Sequence, residues 1–163
     1  MFIRADEECV ATFGAAEAAV LHDVMLEVIT LLSDGFDRAD PVVERLFPDL
    51  YPDDPAVSAD LRRYTEDDLR SAKLEQAALL LDVLPPGGGE VRLDGESAEM
   101  WLRALTDVRI ALGLRLGIAD ETDLEEELDE AVLHDPTSPR VGQLSVYAYL
   151  TYLQESLVGA LSG

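Results

Sequence analysis

The sequence predicts a mainly α-helical, single-domain bundle with a small antiparallel β element. Three observations carry that expectation: a long apolar periodicity around Trp101, amphipathic runs on either side of it, and alternation confined to residues 2–13 and 90–93. The central helix is expected over about residues 94–117. Trp101, Leu105, Val108, Leu112 and Leu116 recur at steps of four, three, four and four, which is one stripe at 100° per residue. Met100, Leu102, Ala104, Ala111 and Leu114 widen that stripe beyond the arc of a surface helix, so a largely buried rod is expected. Asp94 is the expected N-cap and Gly117 the expected C-cap. Gly113 lies one turn before Gly117, where glycine costs about 1 kcal/mol against alanine. Close approach of a second backbone is the reason expected for it.

The remaining elements follow in chain order. Two short strands are expected around Asp6-Glu7-Glu8, with Cys9 a small core residue in the second. Gly14 to Ser33 reads as the first helix, with Val20, Val24, Val28 and Leu31 on one face and Ser33-Asp34-Gly35 ending it. Asp40-Pro41 reads as cap and first turn of a short helix through Leu46-Phe47. The proline-dense run to Pro55 reads as an ordered bend that folds Leu46, Phe47, Leu50 and Tyr51 onto the core. Pro55 to Arg63 reads as a short helix, and Thr65 as the cap of a second, longer one. Pro85-Pro86-Gly87-Gly88-Gly89 is a break, and Glu90-Val91-Arg92-Leu93 a strand that pairs with the N-terminal strands. Residues 119–139 read as an acidic, partly mobile connection, in which Leu124 and Leu128 could hold one helical turn. The last helix is expected from about Val141 to Leu161, with Tyr147, Leu150, Leu153, Leu157 and Leu161 as its seam.

Charges on the central helix are the informative polar residues. Arg109 and Arg115 flank the apolar stripe, and Asp107 sits among Met100, Ala111 and Leu114. Such charges snorkel to water or pair, and Glu155 is the expected partner of Arg109 or Arg115. A structural ion pair is the first reading, a partner contact the second. Arg62, Arg63, Arg70 and Lys73 form the one basic cluster, read first as solvated salt bridges and second as a site for an acidic partner.

Composition narrows the function. The formal net charge is −22, with 34 acidic against 12 basic residues. Phosphate backbones and anionic membranes need clustered Lys and Arg, so nucleic-acid and membrane binding are disfavoured and a basic protein partner is favoured. One cysteine, Cys9, excludes an internal disulfide or a cysteine-based zinc site and fits a reducing, cytoplasmic setting. With acids so early and no apolar run behind them, no signal peptide is expected, and no run approaches a membrane span. No serine or cysteine has a recognisable base nearby, and neither a nucleotide loop nor histidine-metal spacing occurs. No catalytic, cofactor-binding or metal-ligating residue is assigned.

The chain resembles an actinobacterial family known only as a domain of unknown function. The resemblance rests on Phe47-Pro48-Asp49-Leu50-Tyr51-Pro52-Asp53-Asp54-Pro55 and Arg62-Arg63-Tyr64-Thr65-Glu66-Asp67-Asp68-Leu69-Arg70, with Lys73-Leu74. It continues through Trp101-Leu102-Arg103-Ala104-Leu105-Thr106-Asp107-Val108-Arg109, Arg115-Leu116-Gly117 and Leu153-Gln154-Glu155-Ser156-Leu157. Thr106 departs from the asparagine usual at its position. The resemblance implies a gene often adjacent to that of the Clp protease adaptor and, in some members, a regulator label; it implies no activity.

The function expected is therefore a non-enzymatic regulatory or protein-interaction module, with a link to Clp proteolysis suggested by gene context. The first alternative is a transcription regulator with a helix-turn-helix-like unit near 55–84. The second is an enzyme with a carboxylate/arginine site. Oligomeric state is left open, a homodimer through the C-terminal helix being one form.

Overall fold

The computed structural model describes residues 1–33 and 36–163. Three strands and six helices follow one another as β1 (Ile3–Ala5), β2 (Glu8–Phe13), α1 (Ala15–Ser33), α2 (Pro41–Leu46), α3 (Pro55–Val83), β3 (Gly89–Leu93), α4 (Gly95–Leu116), α5 (Leu124–His134) and α6 (Pro139–Ser162). The mainly α class with a small antiparallel sheet is as the periodicity predicts. The strands run in the order β1-β2-β3, all antiparallel, with Ile3 opposite Val10 and Cys9 opposite Leu93. Asp6 turns the first hairpin at φ 56°. Gly88 turns the chain into β3 at φ 86°, where a Cβ would meet the Phe13 carbonyl oxygen at 2.6 Å, so only glycine fits.

The hub is α4. It packs against α6, α3, α2 and α1 and touches β2 and β3. Asp94 caps it by accepting the Ser97 N–H, and Gly117 closes it in the left-handed region at φ 72°. Trp101 is fully buried. Its ring meets Phe2 edge-on at 5.7 Å and Phe13 at 6.1 Å, which seats the sheet on the helix. Leu21, Met25, Leu32, Val43, Leu80, Leu105, Leu150, Leu153 and Leu157 join the same continuous core, so every helix except α5 contributes to it. Burial of such side chains contributes roughly 1.5–3 kcal/mol each, and this holds the bundle. The Phe2 N–H donates to Ser156 Oγ at 3.0 Å and so fastens the start of β1 to α6.

Several expectations are corrected. Pro55–Val83 form one continuous 29-residue helix, not two. Asp54 caps it, and no glycine or proline interrupts it after Pro55. Thr65 is no cap: its hydroxyl donates to the Leu61 carbonyl, the back-bond that lets threonine stay inside a helix. A helix-turn-helix needs a turn between its helices, and this segment supplies none. Leu50 and Tyr51 stand 66% and 56% exposed, whereas Leu46 and Phe47 are buried as expected. Within 119–139, α5 runs three turns rather than one. Asp123 caps it, and Glu125, Glu126 and Glu127 occupy the first turn, where the helix dipole favours acids. The expected end of α1 at Asp34-Gly35 lies outside the described residues.

Candidate functional site

The charged residues singled out in the sequence do not meet at one point. Asp107, Arg109 and Arg115 serve three separate contacts of α4, and Arg62, Arg63 and Arg70 serve three more.

On one flank, Lys73 of α3 reaches Asp107 of α4, Nζ to Oδ1 at 2.8 Å, with both side chains largely shielded from water. Burial pushes the Asp107 carboxyl above its usual range, and the ammonium beside it offsets part of that rise. Asp107 thus has the structural ion pair expected for a charge on the apolar stripe. Its partner is the lysine of the basic cluster, which position along the chain does not disclose.

The opposite flank carries a hydrogen-bond network. Arg109 Nη1 donates to Gln154 Oε1 at 2.8 Å, and Gln154 Nε2 donates to Thr106 Oγ1 at 2.8 Å. Thr106 in turn donates to the Leu102 carbonyl at 2.7 Å. Gln154 therefore clamps α6 to α4. The Arg109 guanidinium also lies 5.7 Å from the Tyr147 ring centroid, and its Nε is buried without a hydrogen-bond partner among the described residues. The expected partner, Glu155, is corrected: it is exposed, because the next residue along a helix is rotated by 100° and Gln154 takes the inward position. Gln154 lies two turns beyond Tyr147, on the same face, and that spacing is the signal that could have found it.

Arg115 meets Glu27 of α1 at 3.4 Å, an exposed pair. The basic cluster disperses. Arg62 pairs with Asp49 and Arg63 with Asp60. Arg70 donates to the terminal carbonyls of α1 at Leu32 and Ser33 and stacks 4.5 Å from the Phe36 ring. It acts as a C-cap in trans for α1. Glu66, one turn before Arg70 on α3, pairs instead with Arg38.

Beside the Arg109 network opens a cleft of about 420 Å³ between α4, the α4–α5 turn, α2 and α6. Arg45, Arg109, Thr106 and Tyr147 supply its polar wall, and Asp120 and Glu121 border it. Gly113 lies in this wall. A Cβ there would stand 3.1 Å from Tyr147 Cε2, so the close approach is by an aromatic ring and not by a backbone. Sequence reading missed Arg45, which comes from the short α2. A second cleft of about 390 Å³ adjoins the Lys73–Asp107 pair on the other flank. Arg109 faces an amide rather than a carboxylate. Among the described residues no three His, Cys, Asp or Glu side chains converge as a metal site would require. No helix among them is long and apolar enough to cross a membrane.

Comparison with known proteins gives the following. A family model described as "Domain of unknown function (DUF2017)" matches residues 1–161. Proteins of Mycobacterium bovis and Mycobacterium tuberculosis named oxidative stress regulator AosR are each 35% identical over 153 residues, 85% of this chain. The chain spans 66% of the length of these relatives. No solved structure matches.

Proposed function

The chain belongs to the DUF2017 family, and from that premise we propose that it is a regulatory module acting by protein contact rather than by chemistry of its own. One observation carries the reading. Lys73–Asp107 and Arg109–Gln154–Thr106, the arrangements closest to a reactive constellation, are engaged in joining helices, while the charge of −22 is left outside. A surface so acidic steers basic partners and repels polyanions. The relatives' name, oxidative stress regulator, supports a regulatory role. A cytoplasmic setting belongs to the same proposal and rests on the single buried thiol, Cys9. A partner within Clp proteolysis, suggested by gene context, is its narrowest form.

Direct DNA binding is the weaker form of regulation here. The segment that would have held a helix-turn-helix is one unbroken helix, and its arginines contact carboxylates or backbone carbonyls.

The test is affinity capture from native lysate with the tagged chain and with a variant in which Glu125, Glu126 and Glu130 are changed to Gln. The expected result is a stoichiometric partner whose recovery falls with salt and with neutralisation of α5. Recovery of nothing specific by either chain counts against the reading. A low-salt mobility shift with nonspecific DNA would replace it with the DNA-binding alternative.

A further inference from the structure

We propose that the cleft lined by Arg45 and Arg109 binds a small organic monocarboxylate with an apolar tail. The chain has 12 basic and 34 acidic residues, so an arginine without a carboxylate partner is the exception. Eight of the basic side chains pair with acids: Arg38, Arg62, Arg63, Lys73, Arg92, Arg103, Arg115 and Arg140. Arg4 and Arg70 donate to backbone carbonyls. Among the described residues that leaves Arg45 and Arg109, and both line the same cleft.

Their donors are available. Arg45 forms no hydrogen bond or ion pair among the described residues, and Arg109 spends Nη1 on Gln154 and keeps Nη2, its Nε being buried. Gln154 and the Tyr147 ring hold the Arg109 guanidinium in place, so little side-chain entropy is left to lose on binding. A planar guanidinium matches the two oxygens of a carboxylate. Thr106, on the same wall, has its hydroxyl proton committed to the Leu102 carbonyl, so the arginines are the donors the cleft offers.

The remaining wall sets the ligand class. Asp120 and Glu121 border the cleft and make no ion pair with either arginine. Together with the overall charge they disfavour a dianion such as a phosphate monoester more than a single carboxylate. Ile110, Leu114 and Ile118 supply apolar surface for a short aliphatic or aromatic tail. The inference does not depend on the chain acting by protein contact, and its test uses no protein partner.

The experiment is an NMR titration of the 163-residue chain with hexanoate, with 1-hexanol and with inorganic phosphate, repeated on Arg45→Ala and Arg109→Lys. Hexanoate is expected to shift the amides of Thr106, Arg109, Gly113 and Tyr147, with 1-hexanol binding at least about tenfold more weakly. Arg45→Ala is expected to weaken hexanoate by about tenfold and to leave the ligand-free melting temperature unchanged, since the side chain makes no hydrogen bond or ion pair among the described residues. Should Arg109→Lys fail to fold, the Arg45→Ala arm decides alone. Equal binding of the alcohol, binding of phosphate in preference to hexanoate, or an unchanged affinity in Arg45→Ala would each overturn the proposal.

Discussion

Lys73 Nζ stands 2.8 Å from Asp107 Oδ1, and through this contact the middle of α3 is tied to the middle of α4. Removing two charges from water costs energy that their attraction only partly returns, whereas removing one partner leaves the other stranded. Lys73→Met is expected to destabilise the protein by about 3 kcal/mol, and Lys73→Met with Asp107→Leu by much less. Urea unfolding of the single and double variants measures this. A double variant as unstable as the sum of the singles would refute the coupling. The Asp107 carboxyl titrates above its usual range in the folded state. The folded state therefore holds this proton more tightly, and the associated loss of stability accrues as pH rises through the folded value. In Lys73→Met that loss grows, so the deficit against wild type shrinks at acid pH.

Glu17 carries the opposite sign. Its carboxylate accepts the Gly14 N–H at 3.0 Å and the Tyr149 hydroxyl at 2.9 Å, capping α1 and fastening it to α6. The Gly14 bond chiefly, and the Tyr149 hydroxyl, hold its carboxyl below the usual range, against a smaller upward push from burial. Burial and the same carboxylate push the Tyr149 hydroxyl well above its ordinary value. Glu17 thus stabilises the fold fully above the ordinary glutamate range and loses that contribution as pH falls through its folded value. Glu17→Gln is expected to flatten the acid limb of a stability-against-pH curve. Glu17→Ala is expected to cost about 1 kcal/mol at pH 7.

Trp101 is fully buried and its Nε1–H finds no acceptor among the described residues. An orphaned buried donor carries a desolvation penalty of about 1–3 kcal/mol. Trp101→Phe removes the penalty along with some packing, so it is expected to cost under about 2 kcal/mol, against 3–5 kcal/mol for Trp101→Ala. Denaturant midpoints compare the two. A Trp101→Phe loss as large as that of the alanine variant would show that shape alone matters there.

Cys9 is buried, and burial raises its thiol above the ordinary range despite the nearby charge of Arg4. The thiolate is the reactive species, so iodoacetamide and hydrogen peroxide are expected to modify the folded chain slowly. Mass spectrometry should find the rate rising in step with unfolding by urea. Modification at the rate of a free thiol in the folded protein would contradict this.

Gly113→Ala sets a gain of about 1 kcal/mol in helix propensity against a contact of 3.1 Å with the Tyr147 ring. Tyr147 borders an open cleft and can yield. The variant is expected to fall within about 1 kcal/mol of wild type, with the Tyr147 ring signals displaced in its NMR spectrum. A β-branched Gly113→Val is expected to destabilise.

Elements with a strong period or a firm cap were legible. Asp94 and Gly117 bounded α4 to within a residue, because the cap and the left-handed closure are local chemistry. Asp40-Pro41 marked α2 for the same reason. Thr65 misled because its hydroxyl has two local uses, capping and back-bonding, and a single sequence does not distinguish them. The polar contacts were half legible. The setting of Asp107 announced a partner, but Lys73 lies 34 residues away on another helix. Glu155 has the complementary charge, but Gln154 has the inward position on α6, and position decides the contact. Arg45 gave no signal, since only the packing of α2 beside α4 brings it to the cleft.

The Lys73–Asp107 contact has a consequence for covalent chemistry. Lys73 is the single lysine in these 163 residues, and its amine is already occupied inside the molecule. Acylating reagents, and enzymes that attach acyl groups or proteins to lysine side chains, therefore find no free lysine amine while α3 and α4 stay together. Modification of that one position becomes a clock for the parting of the two helices.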